Sequence, residues 1–132
     1  MSVASDLVKR HIETLVADNA QWQTLLADDI VWELPFAPSL GHPGKVVGRE
    51  AVIRHAGWFL QTVTNFRFFD LRVYEFADPD GALAEVKAEG TIKPTGRHYA
   101  QDYVVLLRSS NGKITFLREY FDPVRASKAM ME

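Results

Sequence analysis

Residues 109–123, Ser-Ser-Asn-Gly-Lys-Ile-Thr-Phe-Leu-Arg-Glu-Tyr-Phe-Asp-Pro, decide the reading of this chain. A turn at Ser110-Asn111-Gly112 leads into a strand from Lys113 to Phe121. Alternate residues of a strand share a face, so Leu117, Glu119 and Phe121 point the same way. A carboxylate between two large apolar side chains is costly unless it is paired or put to use. The strand therefore predicts a sheet whose inner face carries an acid.

Upstream, the same period of two extends back to Phe66. Strands are expected at Phe66–Phe76, Ala82–Ile92 and His98–Arg108, separated by turns at Asp78-Pro79-Asp80-Gly81 and Lys93-Pro94-Thr95-Gly96. Gly90, inside a strand, marks a bend. Before Phe66 the period is helical. Residues 5–17 place Leu7, Val8, His11, Ile12, Leu15 and Val16 on one face. Asp18 or Asn19 can cap a second short helix carrying Trp22, Leu25 and Leu26 and ended by Asp28-Asp29. Ile30–Leu34 reads as a short strand stopped by Pro35. Residues 35–48 hold three prolines and three glycines and read as a long loop, a candidate lid or binding loop. A third helix is expected from about Arg49 to Val63, with Val52, His55 or Ala56, Phe59 and Val63 along its stripe. Pro123 can open a terminal helix through Met130, with Asp122 as its cap.

Helices first and long antiparallel strands after them predict an α+β fold with the helices on one face of the sheet. A strongly curved sheet of this kind leaves a cone-shaped pocket. The chain of 132 residues is expected to form a single domain spanning 1–132. Fifteen basic and seventeen acidic residues, with no basic cluster, argue against a nucleic-acid partner. The absence of cysteine excludes disulfides and thiolate metal sites and fits a reducing compartment, so a cytoplasmic protein is expected. No apolar run approaches a membrane span. No phosphate loop, nucleophile elbow or metal-ligand spacing occurs, and neither a cofactor nor a metal is expected.

Three polar residues are candidates to meet inside the cone: His55 on the third helix, Tyr99 at the start of its strand, and Glu119. His suits proton transfer near neutrality, Glu in an apolar cavity can act as acid or base, and Tyr can orient a carbonyl. Gln101 and Tyr103 share the face of Tyr99. Pairing Arg108 with Lys113 across the last turn puts Gln101 near Tyr120 and Tyr99 near Asp122. Blander readings stand beside these. His55 also fits a satisfied core or interface histidine, Glu119 a salt bridge to Arg118, Arg72 or Lys87, and the tyrosines ordinary core aromatics. His42 and His98 read as exposed.

The opening helices, Trp32-Glu33-Leu34-Pro35, Gly48-Arg49-Glu50-Ala51, and Gly112-Lys113-Ile114 running into Arg118-Glu119-Tyr120-Phe121-Asp122-Pro123 resemble the SnoaL-like branch of the NTF2-like superfamily. Arg54-His55-Ala56-Gly57-Trp58, the acidic hairpin Ala77-Asp78-Pro79-Asp80 and the Arg118-Glu119 pair resemble the phenazine-biosynthesis A/B proteins most closely. The resemblance implies an NTF2-like, cystatin-like cone. It also implies general acid–base roles for His55 and Glu119, with Tyr99 nearby. Phe59 stands where that family has a small polar serine, which makes the pocket more apolar. Ketosteroid isomerase chemistry fits less well: the first helix has no tyrosine, and the first strand ends in Leu34-Pro35.

The expected function is cofactor-independent isomerisation, cyclisation or condensation of a cyclic or aromatic carbonyl compound. His55, Glu119 and Tyr99 would be catalytic, with Trp32, Phe36, Phe59, Gln101, Tyr103 and Phe121 binding the substrate. A homodimer through the outer face of the sheet is expected. The alternative is a non-catalytic small-molecule binding protein or a dimeric scaffold on the same fold.

Overall fold

The computed structural model describes residues 2–131. Its helices are α1 (Val3–Leu15), α2 (Asn19–Thr24), α3 (Arg49–Thr62) and α4 (Pro123–Met130). Its strands are β1 (Leu26–Glu33), β2 (Lys45–Val47), β3 (Val63–Glu75), β4 (Gly81–Ile92), β5 (Arg97–Ser110) and β6 (Lys113–Tyr120). The strands form one open sheet in the order β2-β1-β6-β5-β4-β3. The β1–β6 pair is parallel and the other pairs are antiparallel. Helix α1 packs across β3, β4 and β5, and α3 lies against β1, β2 and β3. The result is the α+β arrangement expected from the order of periodicities, with its helices on the concave side. No helix among the described residues is long and apolar enough to cross a membrane.

The sheet is curved by its own irregularities. The β3–β4 register shifts between Thr64 and Arg67 and again between Phe69 and Arg72. Asn65 and Asp70 sit at these shifts with φ of 53° and 56°, a conformation that Asn and Asp tolerate better than most residues. Each bulge bends and twists the strand around the helices. Gly90 faces the first of them. A Cβ there would lie 2.9 Å from Val63 Cγ2 and 3.1 Å from both Phe66 Cα and Thr64 O. Two of those atoms are backbone and cannot swing aside. Gly90→Ala is therefore expected to destabilise the fold by roughly 1–3 kcal/mol through overpacking, read as a lower midpoint in urea with an unchanged m-value.

Three elements differ from the sequence reading. The second helix stops at Thr24, and Asp28-Asp29 lie inside β1 rather than ending a helix. Strand β1 begins at Leu26 because it pairs with Ile114 of β6, 88 positions further along the chain, and local spacing carries no trace of that partner. The expected loop at 35–48 contains a 3-10 helix, Ala37–Leu40, and the edge strand β2, which pairs with Val31, Trp32 and Glu33. Its density of proline and glycine hid a three-residue strand. Finally, the last hairpin pairs Ser110, not Arg108, with Lys113. Asn111 and Gly112 take φ of 53° and 74°, the two left-handed central positions of a two-residue turn, and this sets the tighter register. A further shift between Arg108 and Ser109 then places Glu119 opposite Val105 and Tyr120 opposite Val104.

Helix α4 follows Asp122, whose carboxylate accepts from the main-chain N–H of Val124 and Arg125 at 2.9 and 3.3 Å. Asp122 is thus the cap expected before Pro123. The far end of α4 is tied to the β4–β5 turn by Thr95 Oγ1 donating to Ala129 O at 2.6 Å and Arg97 Nη1 to Lys128 O at 2.8 Å. These bonds hold Ala126 and Met130 over the open end of the cone, where both line its cavity.

Candidate active site

The concave face of the sheet, α3 and α4 enclose a cavity with about 780 Å³ of empty space, including its open mouth. Its walls are largely aliphatic and aromatic. Its ionisable lining groups are His42, His55, Tyr99, Tyr103 and Glu119.

Glu119 is half-buried on the inward row of β6 between Leu117 and Phe121, as strand parity requires. No hydrogen bond or ion pair to its carboxylate is found among the described residues. The salt bridges open to it in the sequence are not made: Arg118 Nε instead donates to Glu33 at 2.8 Å on the other face of the sheet. Loss of water on burial pushes the Glu119 carboxyl from 4.5 up to about 7. A group with that value is part protonated and part ionised at neutral pH, the condition for accepting and returning protons.

His55 lines the cavity from α3. Its ring meets Trp32 edge-on at 5.2 Å and lies 6.0 Å from Trp58. Burial lowers its pKa, and His42 adds to this, since a positive neighbour disfavours a second positive charge. His55 is therefore neutral at pH 7, with one ring nitrogen free to accept a proton.

Tyr99 and Tyr103 point inward from β5, their hydroxyl oxygens 2.9 Å apart. Burial raises Tyr99 to about 12 and Tyr103 well above 10, so both remain protonated donors. Gln101, expected to contact substrate, lies between them in sequence but does not line the cavity. It is 2% exposed. Its Oε1 accepts from the N–H of Asp122 at 2.8 Å and of Asp102 at 3.1 Å. Its Nε2 donates to Asp122 O at 2.9 Å and to the Tyr99 hydroxyl at 3.1 Å. With two donors and two acceptor positions all occupied, it has nothing left for a ligand. Gln101 instead extends the β5–β6 pairing beyond Tyr120 and orients Tyr99. The Tyr99 oxygen accepts from Gln101, and either hydroxyl can be the donor in the bond between the two tyrosines; in one arrangement Tyr99 donates to Tyr103. That arrangement leaves the Tyr103 hydroxyl hydrogen available to the cavity.

Trp32, Phe59 and Phe121 all line the cavity. Phe59 stacks edge-on against Phe66 at 5.1 Å, filling the site one turn beyond His55 with apolar surface. Phe36 does not line it. It is 43% exposed and packs against Tyr120 at 5.8 Å, outside the lining set. Several other lining residues were not anticipated, among them the aromatic Trp58 and His42. Trp58, three residues after His55 on the same helical face, is 42% exposed at the mouth. His42 is half-buried rather than exposed, and its ring lies tilted against Trp58 at 5.0 Å. The helical spacing could have revealed Trp58. Nothing local signals His42, whose position depends on the path of the 3-10 helix. His98 is exposed, as expected.

Among the described residues no cluster of three or more His, Cys, Asp or Glu could hold a metal ion.

Comparison with known proteins gives a consistent result. The profile of the SnoaL-like domain family matches residues 8–117. An uncharacterised PhzA/B-like protein of Pseudomonas aeruginosa is 35% identical over 113 residues, covering 86% of this chain and 79% of its own. The crystal structure of a putative isomerase from Bacillus subtilis superposes with a TM-score of 0.86 at 25% identity, covering 96% of this chain and 91% of that one. The crystal structure of a phenazine biosynthesis-related protein from Pseudomonas aeruginosa superposes with a TM-score of 0.83 at 21% identity, covering 97% and 80%.

Proposed function

The chain belongs to the SnoaL-like domain family, on the NTF2-like fold, and on that premise we propose that it is a cofactor-independent acid–base enzyme acting on a cyclic or aromatic carbonyl compound. The observation that carries this reading is the unpaired Glu119 carboxyl in an apolar wall, in the same cavity as a neutral imidazole and a pair of tyrosine hydroxyls. In this reading ionised Glu119 takes a proton from the carbon next to the carbonyl. The Tyr103 hydroxyl, polarised through Tyr99 and Gln101, donates to the oxygen on which charge develops. His55, uncharged, accepts or returns the second proton that an isomerisation, cyclisation or condensation requires. The apolar walls of the cavity strengthen each of these interactions.

Exchange of α-protons in a panel of enolisable cyclic ketones, followed by NMR in deuterated water, tests the proposal. Wild type should exchange faster than Glu119→Gln and His55→Ala. Equal rates for all three remove the catalytic roles, and saturable ketone binding without exchange supports the carrier reading instead.

The proposal includes a homodimer through the outer face of the sheet. Its support is the row of half-buried Leu83, Val104, Leu106 and Phe116 on that face, where water-exposed strands usually carry polar side chains. Leu106→Glu places a charge in the middle of this row and is expected to convert a dimer to monomer in light-scattering chromatography while leaving the circular dichroism unchanged. A monomeric wild type overturns this part of the proposal. A cytoplasmic setting is also proposed, on the cysteine-free sequence.

A further inference from the structure

Among the described residues, the indole Nε1 of Trp32 is the one side-chain nitrogen or oxygen fully shielded from solvent that has no hydrogen-bond partner. The residue is 6% exposed and lines the cavity. A buried donor left without an acceptor costs roughly 1–3 kcal/mol, and native proteins leave few of them. The other buried tryptophan, Trp22, shows the usual solution: its Nε1 donates to His11 Nδ1 at 2.8 Å. Trp32 lacks such a partner although it stands beside His55, whose ring it meets edge-on.

The sheet register says what lies near this donor. Trp32 of β1 pairs with Leu117 of β6, which pairs with Leu107 of β5. The next inward row is Glu119 with Val105. The row after that holds Phe121 and Tyr103, whose rings are 6.5 Å apart. Successive inward rows are roughly 7 Å apart along the strands. Along the inward face the row of Glu119 therefore lies between the row of Tyr103 and the row of Trp32, two residues whose side chains carry a hydrogen-bond donor. Both belong to walls that are otherwise apolar.

We propose that the Trp32 indole N–H is a substrate-binding donor, and that the ligand is a ring compound carrying an acceptor oxygen at each end, one for Trp32 and one for Tyr103. The proposal rests on the reading of this cavity as a site for a carbonyl compound and adds the second oxygen to it. A ligand oxygen at Trp32 removes the cost of the unsatisfied donor, so the interaction favours oxygenated rings over hydrocarbons of the same shape. It also fixes which ring carbon meets Glu119, since both ends of the ligand are held.

The probes are 6-hydroxy-1-tetralone, with an oxygen at each end of a fused ring, and tetralin, the same skeleton without oxygen. Trp32→Phe keeps an aromatic ring and removes the donor. It should weaken 6-hydroxy-1-tetralone about 5- to 20-fold, the effect of one lost hydrogen bond, and leave tetralin within twofold. Tyr103→Phe should weaken the same probe, and the two losses should multiply in the double variant. In wild type labelled with nitrogen-15, the Trp32 indole proton should move downfield on addition of 6-hydroxy-1-tetralone and not of tetralin, while Trp22 stays in place. This measurement does not depend on the variant folding. An indole proton unmoved at the highest soluble concentration, as expected if the N–H points at the face of His55, overturns the proposal. So does an equal loss for both probes, which would assign Trp32 a packing role. The acid–base reading fails separately: if wild type binds the probe with the indole shift but exchanges no α-protons, the donor stands and catalysis does not.

Discussion

Glu119→Gln is expected to lower the rate of α-proton exchange by 10²- to 10⁴-fold, the range for loss of a positioned general base. The substitution keeps the shape and the apolar contacts of the side chain, so binding should change little and the loss should fall on kcat. The pH profile is the sharper reading. A base must be ionised in the free enzyme, and burial sets this carboxyl at about 7. The wild-type kcat/KM should therefore rise with pH, bend near 7 and level above it, and the bend should vanish in Glu119→Gln. A bend near 4.5 would mean a hydrated carboxylate and would sink the assignment of Glu119 as the base. His55→Ala should cost less and move no limb in this range. The imidazole is already uncharged there, held so by burial and by its positive-capable neighbour His42.

Much of this site was legible in the chain because strand parity is a strict constraint. Leu117, Glu119 and Phe121 had to share a face, and once Phe121 belonged to the core so did the carboxyl. The helical stripe brought His55 and Phe59 to the same side of α3 for the same reason. What could not be read were contacts made at long range. Leu26 belongs to a strand only because Ile114 pairs with it, and its local pattern fits a helix as well. Gln101 was on the correct face but not free, since its four hydrogen bonds go to main chain and to Tyr99 across a junction that depends on the register. That register was available in principle. An Asn-Gly pair demands a two-residue turn, and taking it so would have set Ser110 against Lys113. His42 had no such signal, because its place follows from the 3-10 helix and the left-handed Gly41 that ends it at φ 79°. Family resemblance reached His55, Tyr99 and Glu119, but not the orphaned indole of Trp32. That feature lies in a missing partner, and a sequence lists only the groups that are present.

The same carboxyl that is proposed to move protons should also make the fold less stable above neutral pH, and Glu119→Gln should reverse this. The folded protein holds Glu119 at about 7 against 4.5 when exposed. The folded state therefore binds the proton more tightly. The stability this contributes is complete below about 4.5 and is lost as pH rises to 7, up to about 3 kcal/mol in all. His11 runs the other way. It is buried and neutral, its Nδ1 accepts from Trp22, and its pKa falls from 6.5 to about 4. Its contribution is complete above 6.5 and is lost as pH falls to 4, by a similar amount. Between about 4.5 and 6.5 the two slopes oppose each other, and the wild-type unfolding free energy should vary little from this pair. Glutamine resembles the protonated carboxyl at every pH, so the variant keeps only the His11 slope. Urea unfolding should find Glu119→Gln close to wild type at pH 4.5 and more stable by about 2–3 kcal/mol at pH 8. A variant less stable than wild type at pH 8 would show that the carboxylate is already well accommodated when ionised. The proton-transfer role proposed for Glu119 would then lose its physical basis, because a carboxylate stabilised in the ground state is a weak base.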